Sequence, residues 1–336
     1  MPDPLSIPAD RIPRSGEAAY AALDLGTNNC RLLVARRCAD APAAVPFRVV
    51  DAFSRIVRLG EGLAASGVLS EAAMARTLDA LKVCADKIAA HRVAGARSIA
   101  TEACRRASNC AEFMARVASE TGIELEIITA KEEARLVVAG CAPLLDPRIP
   151  YALVFDIGGG STELVWLAVD GGVPRIIDSQ SLPHGVVTLS DRYGGREVSE
   201  ATYAAMVAEI DTALRDIEQR QGIASCIAAG QVQMLGSSGT VTTLAAVHLK
   251  LRHYSRRRID GVVLRFEDQR RASRRLAGQT HDERASNPCI GAERADLVLA
   301  GCAILEAICR LWPVGRLRVA DRGIREGILL GLVRGN

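Results

Sequence analysis

Short apolar runs ending on an acid are the first regularity along the chain. Residues 18–25 (AAYAALDL) form one such run, a polar turn spans 26–29, and a second apolar run over 30–36 (CRLLVAR) follows. This pattern predicts a strand, a tight turn and a returning strand. The same figure returns at 151–157 (YALVFDI), 158–162 and 163–169 (ELVWLAV). Elsewhere the period changes. Met74, Leu78, Leu81, Cys84 and Ile88 fall on one stripe of a helix predicted over 70–91, and Tyr203, Met206, Ile210, Leu214 and Ile217 on one of a helix over 199–222. Further strands are predicted over 97–100, 125–128, 232–235 and 317–320, and helices over 131–140, 240–250, 295–311 and 322–333. Residues 252–275 are so rich in arginine that they read as a basic, mobile stretch.

The repeated figure sets the domain reading. Asp24-Leu25-Gly26 is followed by Leu32-Leu33, and Asp156-Ile157-Gly158 by Leu164-Val165 at the same offsets. Two such units predict two related domains, each a mixed sheet with helices, facing one another across a cleft. The 336 residues suit two cores. The expected division is a loose arm over 1–16, a first domain over 17–138 and a second over 139–336, whose last helix packs back on the first.

Composition narrows the class. Only 4% of residues are aromatic, so the cores must be built of Leu, Ile, Val and Ala. Of 42 basic residues only Lys82, Lys87, Lys131 and Lys250 are lysine. Arginine grips phosphate oxygens with two parallel donors, but a GC-rich genome also favours it, so only its placement carries meaning. The ten cysteines contain no C-x-x-C pair, which argues against a structural zinc site. No apolar signal segment or membrane-length run occurs, so a cytoplasmic protein with reduced thiols is expected.

The richest local chemistry lies at 156–163, Asp-Ile-Gly-Gly-Gly-Ser-Thr-Glu. Gly158, Gly159 and Gly160 let backbone N–H groups approach an anion, Ser161 adds a hydroxyl, and Asp156 and Glu163 supply hard oxygens suited to Mg²⁺ beside phosphates. These glycines lead into a strand, and no G-x-x-x-x-G-K-[ST] occurs, so neither a Walker loop nor a dinucleotide fingerprint is present. Asp24 through Asn29 is by itself a polar hairpin. As the mirror of the glycine turn it becomes a second phosphate loop, with Thr27 and Asn28 on phosphate and Asp24 near the metal. Thr129 and Glu132 match a capping box, which leaves Glu133 free in the first helical turn. Arg105 or Arg106, after a strand end, could neutralise a phosphoryl group. Gly236 through Thr240 is either an anion-binding helix start or a tight connection. The basic stretch suits a polyanion, but Tyr254 and Phe266 are its only aromatics, so nucleic acid is not expected.

DLGTNN, TEACRRASN, KEEARL, DIGGGSTELV, LPHGVVTLSDRY, GSSGTVTTLA and RGIREGILLGL occur in this order. The series resembles exopolyphosphatases and guanosine pentaphosphate phosphatases, from about residue 18 onward. The resemblance implies the α/β, two-domain actin-like (ribonuclease H-like) ATPase fold with a central cleft, and hydrolysis of a phosphoanhydride with Mg²⁺. The implied substrate is inorganic polyphosphate, with guanosine pentaphosphate as the alternative, and a homodimer is implied as well. It assigns the water-activating role to Glu133, phosphate contacts to Asn28 and Arg105, and metal-associated roles to Asp156 and Glu163. The chain ends where longer members continue into a further helical domain.

Overall fold

The computed structural model describes residues 18–38, 42 and 44–335; the arm expected over 1–16 lies outside the described residues. The first unit runs β1 (Ala19–Leu25), β2 (Asn29–Arg37), β3 (Phe47–Ile56), α1 (Leu63–Ser66), α2 (Glu71–His91), β4 (Gly95–Ala100), α3 (Glu102–Arg106), α4 (Cys110–Thr121), β5 (Glu126–Ile127) and α5 (Ala130–Cys141). The second runs β6 (Tyr151–Ile157), β7 (Thr162–Asp170), β8 (Val173–Leu182), α6 (Val186–Tyr193), α7 (Glu200–Gln221), α8 (Ile223–Ala228), β9 (Val232–Ser237) and α9 (Gly239–His248). It continues through α10 (Arg256–Ile259), β10 (Val263–Arg265), α11 (Phe266–Ala277), α12 (His281–Ala285), α13 (Val298–Leu311), β11 (Arg316–Ala320) and α14 (Ile324–Arg334).

The two halves repeat one topology. The first sheet has the order β3-β2-β1-β4-β5 and the second β10-β11-β9-β6-β7-β8. The first strand of each unit pairs antiparallel with the next, β1 with β2 and β6 with β7. On its other side it pairs parallel with a strand reached through helices, β4 or β9. The architecture is α/β, two mixed sheets with helices. The long helices begin where short polar side chains satisfy their free N–H groups: Ser70 accepts from Ala73 N and Ser199 from Thr202 N. α7 ends at Gly222, whose positive φ of 59° suits a residue without Cβ.

Three apolar clusters divide the interior. One packs α2 and α4 under the first sheet. Another joins α7, α9, α11 and α13 to the second. The third lies between the sheets and gathers Val137 and Val138 of α5, Leu329 and Leu330 of α14, and strand residues of both halves. Within it α14 rests on β1, α5 rests on β7 and β8, and the two helices pack on each other. They meet at backbone distance: a Cβ on Gly140 would overlap the carbonyl oxygen of Gly323, and one on Gly327 that of Leu136. Larger residues there would force the halves apart.

Several elements depart from the sequence reading. β3, β8, α4 and α6 are additional. β3 and β8 are edge strands, half-buried along much of their length, so no clean apolar run marks them. The basic stretch expected to be mobile is folded, largely as α10, β10 and α11. Phe266, Gln269, Ala272, Ser273 and Leu276 form the buried stripe of α11, and Gln269 Nε2 donates to Ser273 Oγ at 2.9 Å. Two polar residues paired inside the stripe hide it from a reading that counts only apolar positions.

Gly140→Ala is expected to destabilise the protein by about 1–3 kcal/mol through overpacking at the α5–α14 crossing. Urea unfolding of the variant against the parent chain measures it, and an unchanged midpoint would show that the crossing tolerates a wider separation.

Candidate active site

Each sheet presents one turn to the cleft, and both turns close with the same bond. Gly26 N donates to Asn29 O and Gly158 N to Ser161 O, each at 2.9 Å. The turns touch. A Cβ on Gly160 would lie 2.5 Å from Thr27 Oγ1, and one on Gly159 3.0 Å from both Asn28 N and Asn28 Cβ. Glycine at 159 and 160 is thus required by the approach of the other half.

The glycine turn is anchored from behind by its carbonyls. Val186 N donates to Gly158 O at 3.0 Å and Val187 N to Gly159 O at 2.8 Å, so the start of α6 holds the turn. Thr162 Oγ1 donates to His184 O at 2.6 Å. Gly185 admits this contact, because a Cβ there would overlap Gly159 O. The N–H groups of Gly159 and Gly160 have no hydrogen-bond partner among the described residues. On the opposite turn the buried Asn28 Oδ1 is likewise without one. Open donors on one side and an unpaired amide on the other leave a polar slot of about 120 Å³.

Five carboxylates line this slot: Asp24, Glu102, Glu133, Asp156 and Glu163. Antiparallel register places Asp156 directly opposite Glu163, so both project from one face of the second sheet. Burial raises Asp24, Glu133, Asp156 and Glu163 above the ordinary carboxylate range. Asp156 rises to about 7, through burial and then the charge of Glu133. Glu163 also rises to about 7, against the opposing hydrogen bonds of Ser161 Oγ at 2.6 Å and Ser181 Oγ at 3.0 Å. Glu133 is pushed well up by burial and then by Glu163, despite the nearby Arg105.

Glu133 sits in the first turn of α5, whose start is capped by Thr129 Oγ1 accepting from Glu132 N at 3.2 Å. The reciprocal half of the expected capping box is replaced, because Glu132 pairs with Arg97 and Arg135. Glu133 is not free as the sequence reading had it. It is 5% exposed and accepts from Arg105 Nη1 at 2.7 Å. Arg105 also donates to Ile128 O and to Glu102 Oε2, so its fork is taken up by protein acceptors, two of them carboxylates of the slot. Arg106 is more exposed and lies 4.0 Å from Glu102.

Thr27, Asn28, Gly158, Gly159, Gly160, Ser161, Asp24, Asp156, Glu163 and Glu133 all line the slot, and Arg105 stands behind Glu133. The three acids expected to share a metal do not form a three-carboxylate cage: among the described residues no group of three or more metal-ligating side chains is arranged to hold an ion.

Two lining arginines escaped the sequence reading, Arg31 and Arg294. Arg31 pairs in register with Asp24 across the first turn and therefore shares its face, a position that hairpin register alone can supply. Arg294 precedes α13 and carried no signal; burial, then the charge of Arg31, holds its guanidinium below the ordinary range. Beyond them the slot continues into a cavity of about 660 Å³, which Arg325 and Tyr254 also line.

A buried acid with a raised pKa weakens the fold as pH rises from its unfolded value, near 4, through its folded value. In that window the unfolded chain has released a proton that the folded chain still holds. Metal-free protein is therefore expected to lose stability between about pH 4 and pH 7, through Asp156 and Glu163. Thermal unfolding in chelator should show Asp156→Asn more stable than the parent at pH 8, the gain vanishing at pH 4. A pH-independent difference would contradict it.

Comparison with known proteins places this arrangement. Residues 35–335 match the model of the Ppx/GppA phosphatase family. Exopolyphosphatase 2 of Mycobacterium tuberculosis is 31% identical over 323 residues, covering 93% of this chain and 98% of that protein. A guanosine-5'-triphosphate,3'-diphosphate pyrophosphatase of Aeromonas salmonicida is 30% identical, covering 94% of this chain and 60% of the longer relative. Among solved structures, a Ppx/GppA family member from Aquifex aeolicus superposes with a TM-score of 0.76 at 28% identity, covering 95% of this chain and 99% of its own. An exopolyphosphatase from Cytophaga hutchinsonii gives 0.83 at 25% identity, covering 94% and 98%. With the family model matching most of the chain, including the glycine turn and the helix that carries Glu133, the chain belongs to the Ppx/GppA phosphatase family.

Proposed function

We propose that this chain is an exopolyphosphatase that releases orthophosphate from the end of inorganic polyphosphate in the cytoplasm. The observation that carries the reading is the slot itself: unpartnered N–H donors at Gly159 and Gly160 line it together with a buried carboxylate, Glu133, held in place by Arg105. The terminal phosphoryl group binds against Gly158 through Ser161, with Thr27 and Asn28 on its other side. Glu133 orients a water and takes its proton as the water oxygen bonds to phosphorus. The bond to the bridging oxygen breaks, and the shortened chain keeps that electron pair. Arg105 positions Glu133 through their ion pair. Arg31 and Arg294 offset charge on the phosphates behind the terminal one.

Mg²⁺ fits the donor set. Asp24 and Asp156 lie near the ends of β1 and β6 and open on the same slot; burial raises both and the charge of Asp24 adds to the shift of Asp156, a cost that a divalent cation relieves. Such an ion commonly uses one or two carboxylates and completes its sphere with phosphate and water, so a three-acid cage is not needed. Bound there, it would supply charge neutralisation on the phosphates and favour ionised Glu133. Glu163 would support the site from the second layer, through Ser161.

The cavity of about 660 Å³ behind the slot favours a second reading on the same chemistry. It has room for a nucleoside behind the terminal phosphates, as guanosine pentaphosphate would require.

Phosphate release with Mg²⁺ from long polyphosphate and from guanosine pentaphosphate, measured in parallel, separates the two readings by which substrate has the higher kcat/KM. Glu133→Gln is expected to lower kcat by roughly 10²–10⁴ on the preferred substrate with little change in KM. Full turnover by the variant would remove Glu133 as the base.

A further inference from the structure

The arginine-rich helix α11 takes no part in the slot, yet its outer face has an organisation of its own. Its buried stripe is turned toward α9 and α13, leaving Arg270, Arg271, Arg274 and Arg275 exposed side by side. The pairs 270/274 and 271/275 are like charges four residues apart, which work against the helix. Arginine in the last turn complements the helix dipole, which accounts for Arg274 and Arg275 but not for Arg270 and Arg271 in mid-helix. Neighbouring acids do little to neutralise them: Arg271 approaches Asp268 at 3.4 Å, and Arg270, Arg274 and Arg275 have no ion-pair partner among the described residues. Arg270, Arg271 and Arg274 border a groove of about 330 Å³ with Glu267, and none of these four lines the slot or the cavity behind it.

We propose that this face is an exosite for the distal part of a polyphosphate chain whose end lies in the slot; the proposal rests on the exopolyphosphatase reading. Geometry puts it within reach. α9 starts at Gly239 and α13 at Val298, both lining the slot, and both pack against α11. The ten residues of α9 span about 15 Å, at roughly 1.5 Å each, and His248 at the far end lies 3.8 Å from Asp268. A chain long enough to cover that distance meets the arginines, whereas a triphosphate does not. Guanidinium forks suit non-bridging phosphate oxygens. No aromatic ring is exposed on α11, Phe266 being 5% exposed, so the face has phosphate donors without a platform for bases. That favours bare polyphosphate over nucleic acid.

The test uses the full chain with Arg270→Glu/Arg274→Glu. A milder Arg270→Gln/Arg274→Gln variant guards against misfolding, and Arg175→Glu/Arg215→Glu makes the same charge change elsewhere. Binding of end-labelled long polyphosphate is followed across salt concentrations, beside hydrolysis of tripolyphosphate. Affinity for the long chain is expected to fall ~10-fold or more, and its salt slope by about 1.4, at the ~0.7 per contact typical of a single-stranded polyanion. Turnover of tripolyphosphate should stay within about twofold, since Arg270 and Arg274 are exposed and do not line the slot. Unchanged long-chain binding overturns the exosite, and so does an equal loss in the control variant. Competition by RNA as strong as that by polyphosphate would overturn the assignment of the occupant. If the parent chain hydrolysed neither polyphosphate, the functional reading would fail, and the binding difference alone would still decide the exosite.

Discussion

Like charges gathered in one slot are the constraint around which this molecule is arranged. Asp24, Glu133, Asp156 and Glu163 reach one slot from both sheets and from α5, and burial pushes each toward its neutral form. Directly opposed acids on adjacent strands, such as Asp156 and Glu163, weaken a sheet. The fold tolerates them because rigid parts hold them. β1 and β6 are interior strands, Ser161 and Ser181 bond Glu163, and Arg105 bonds Glu133. A site that is costly when empty is ready for a cation and a polyanion, whose opposite charges cancel where they bind.

The same economy governs the glycines. Gly159 and Gly160 admit the opposite turn, and Gly185 admits the start of α6. Gly140 and Gly327 let α5 and α14 cross at backbone distance. That crossing sets the separation of the two sheets, and so the width of the slot at their ends.

Arginine is used in three ways. Arg105 serves an acid of the slot, and Arg31 and Arg294 line it. Arg284 is buried and donates to the carbonyls of Gln279, Ala295 and Arg196, tying together loops around α12. The arginines of α11 are spent on the surface. Composition alone could not divide these roles, because residue type is common to all and surroundings differ.

The sequence by itself determined the repeated strand–turn–strand figure, the two mixed sheets and the turns that face each other, since strand alternation and glycine runs are local properties. Glu133 it pointed to only through the family resemblance, since by itself a glutamate in a first helical turn reads as a surface charge. Only the tertiary structure decided what lies beside what. Arg105 pairs with Glu133, Glu163 is bonded by Ser161 and Ser181, and Arg294 enters from the loop before α13. The paired Gln269 and Ser273 that seat α11 were invisible for the same reason. A side chain's partner across the chain depends on how sheets and helices pack, and periodicity along one segment holds no record of that.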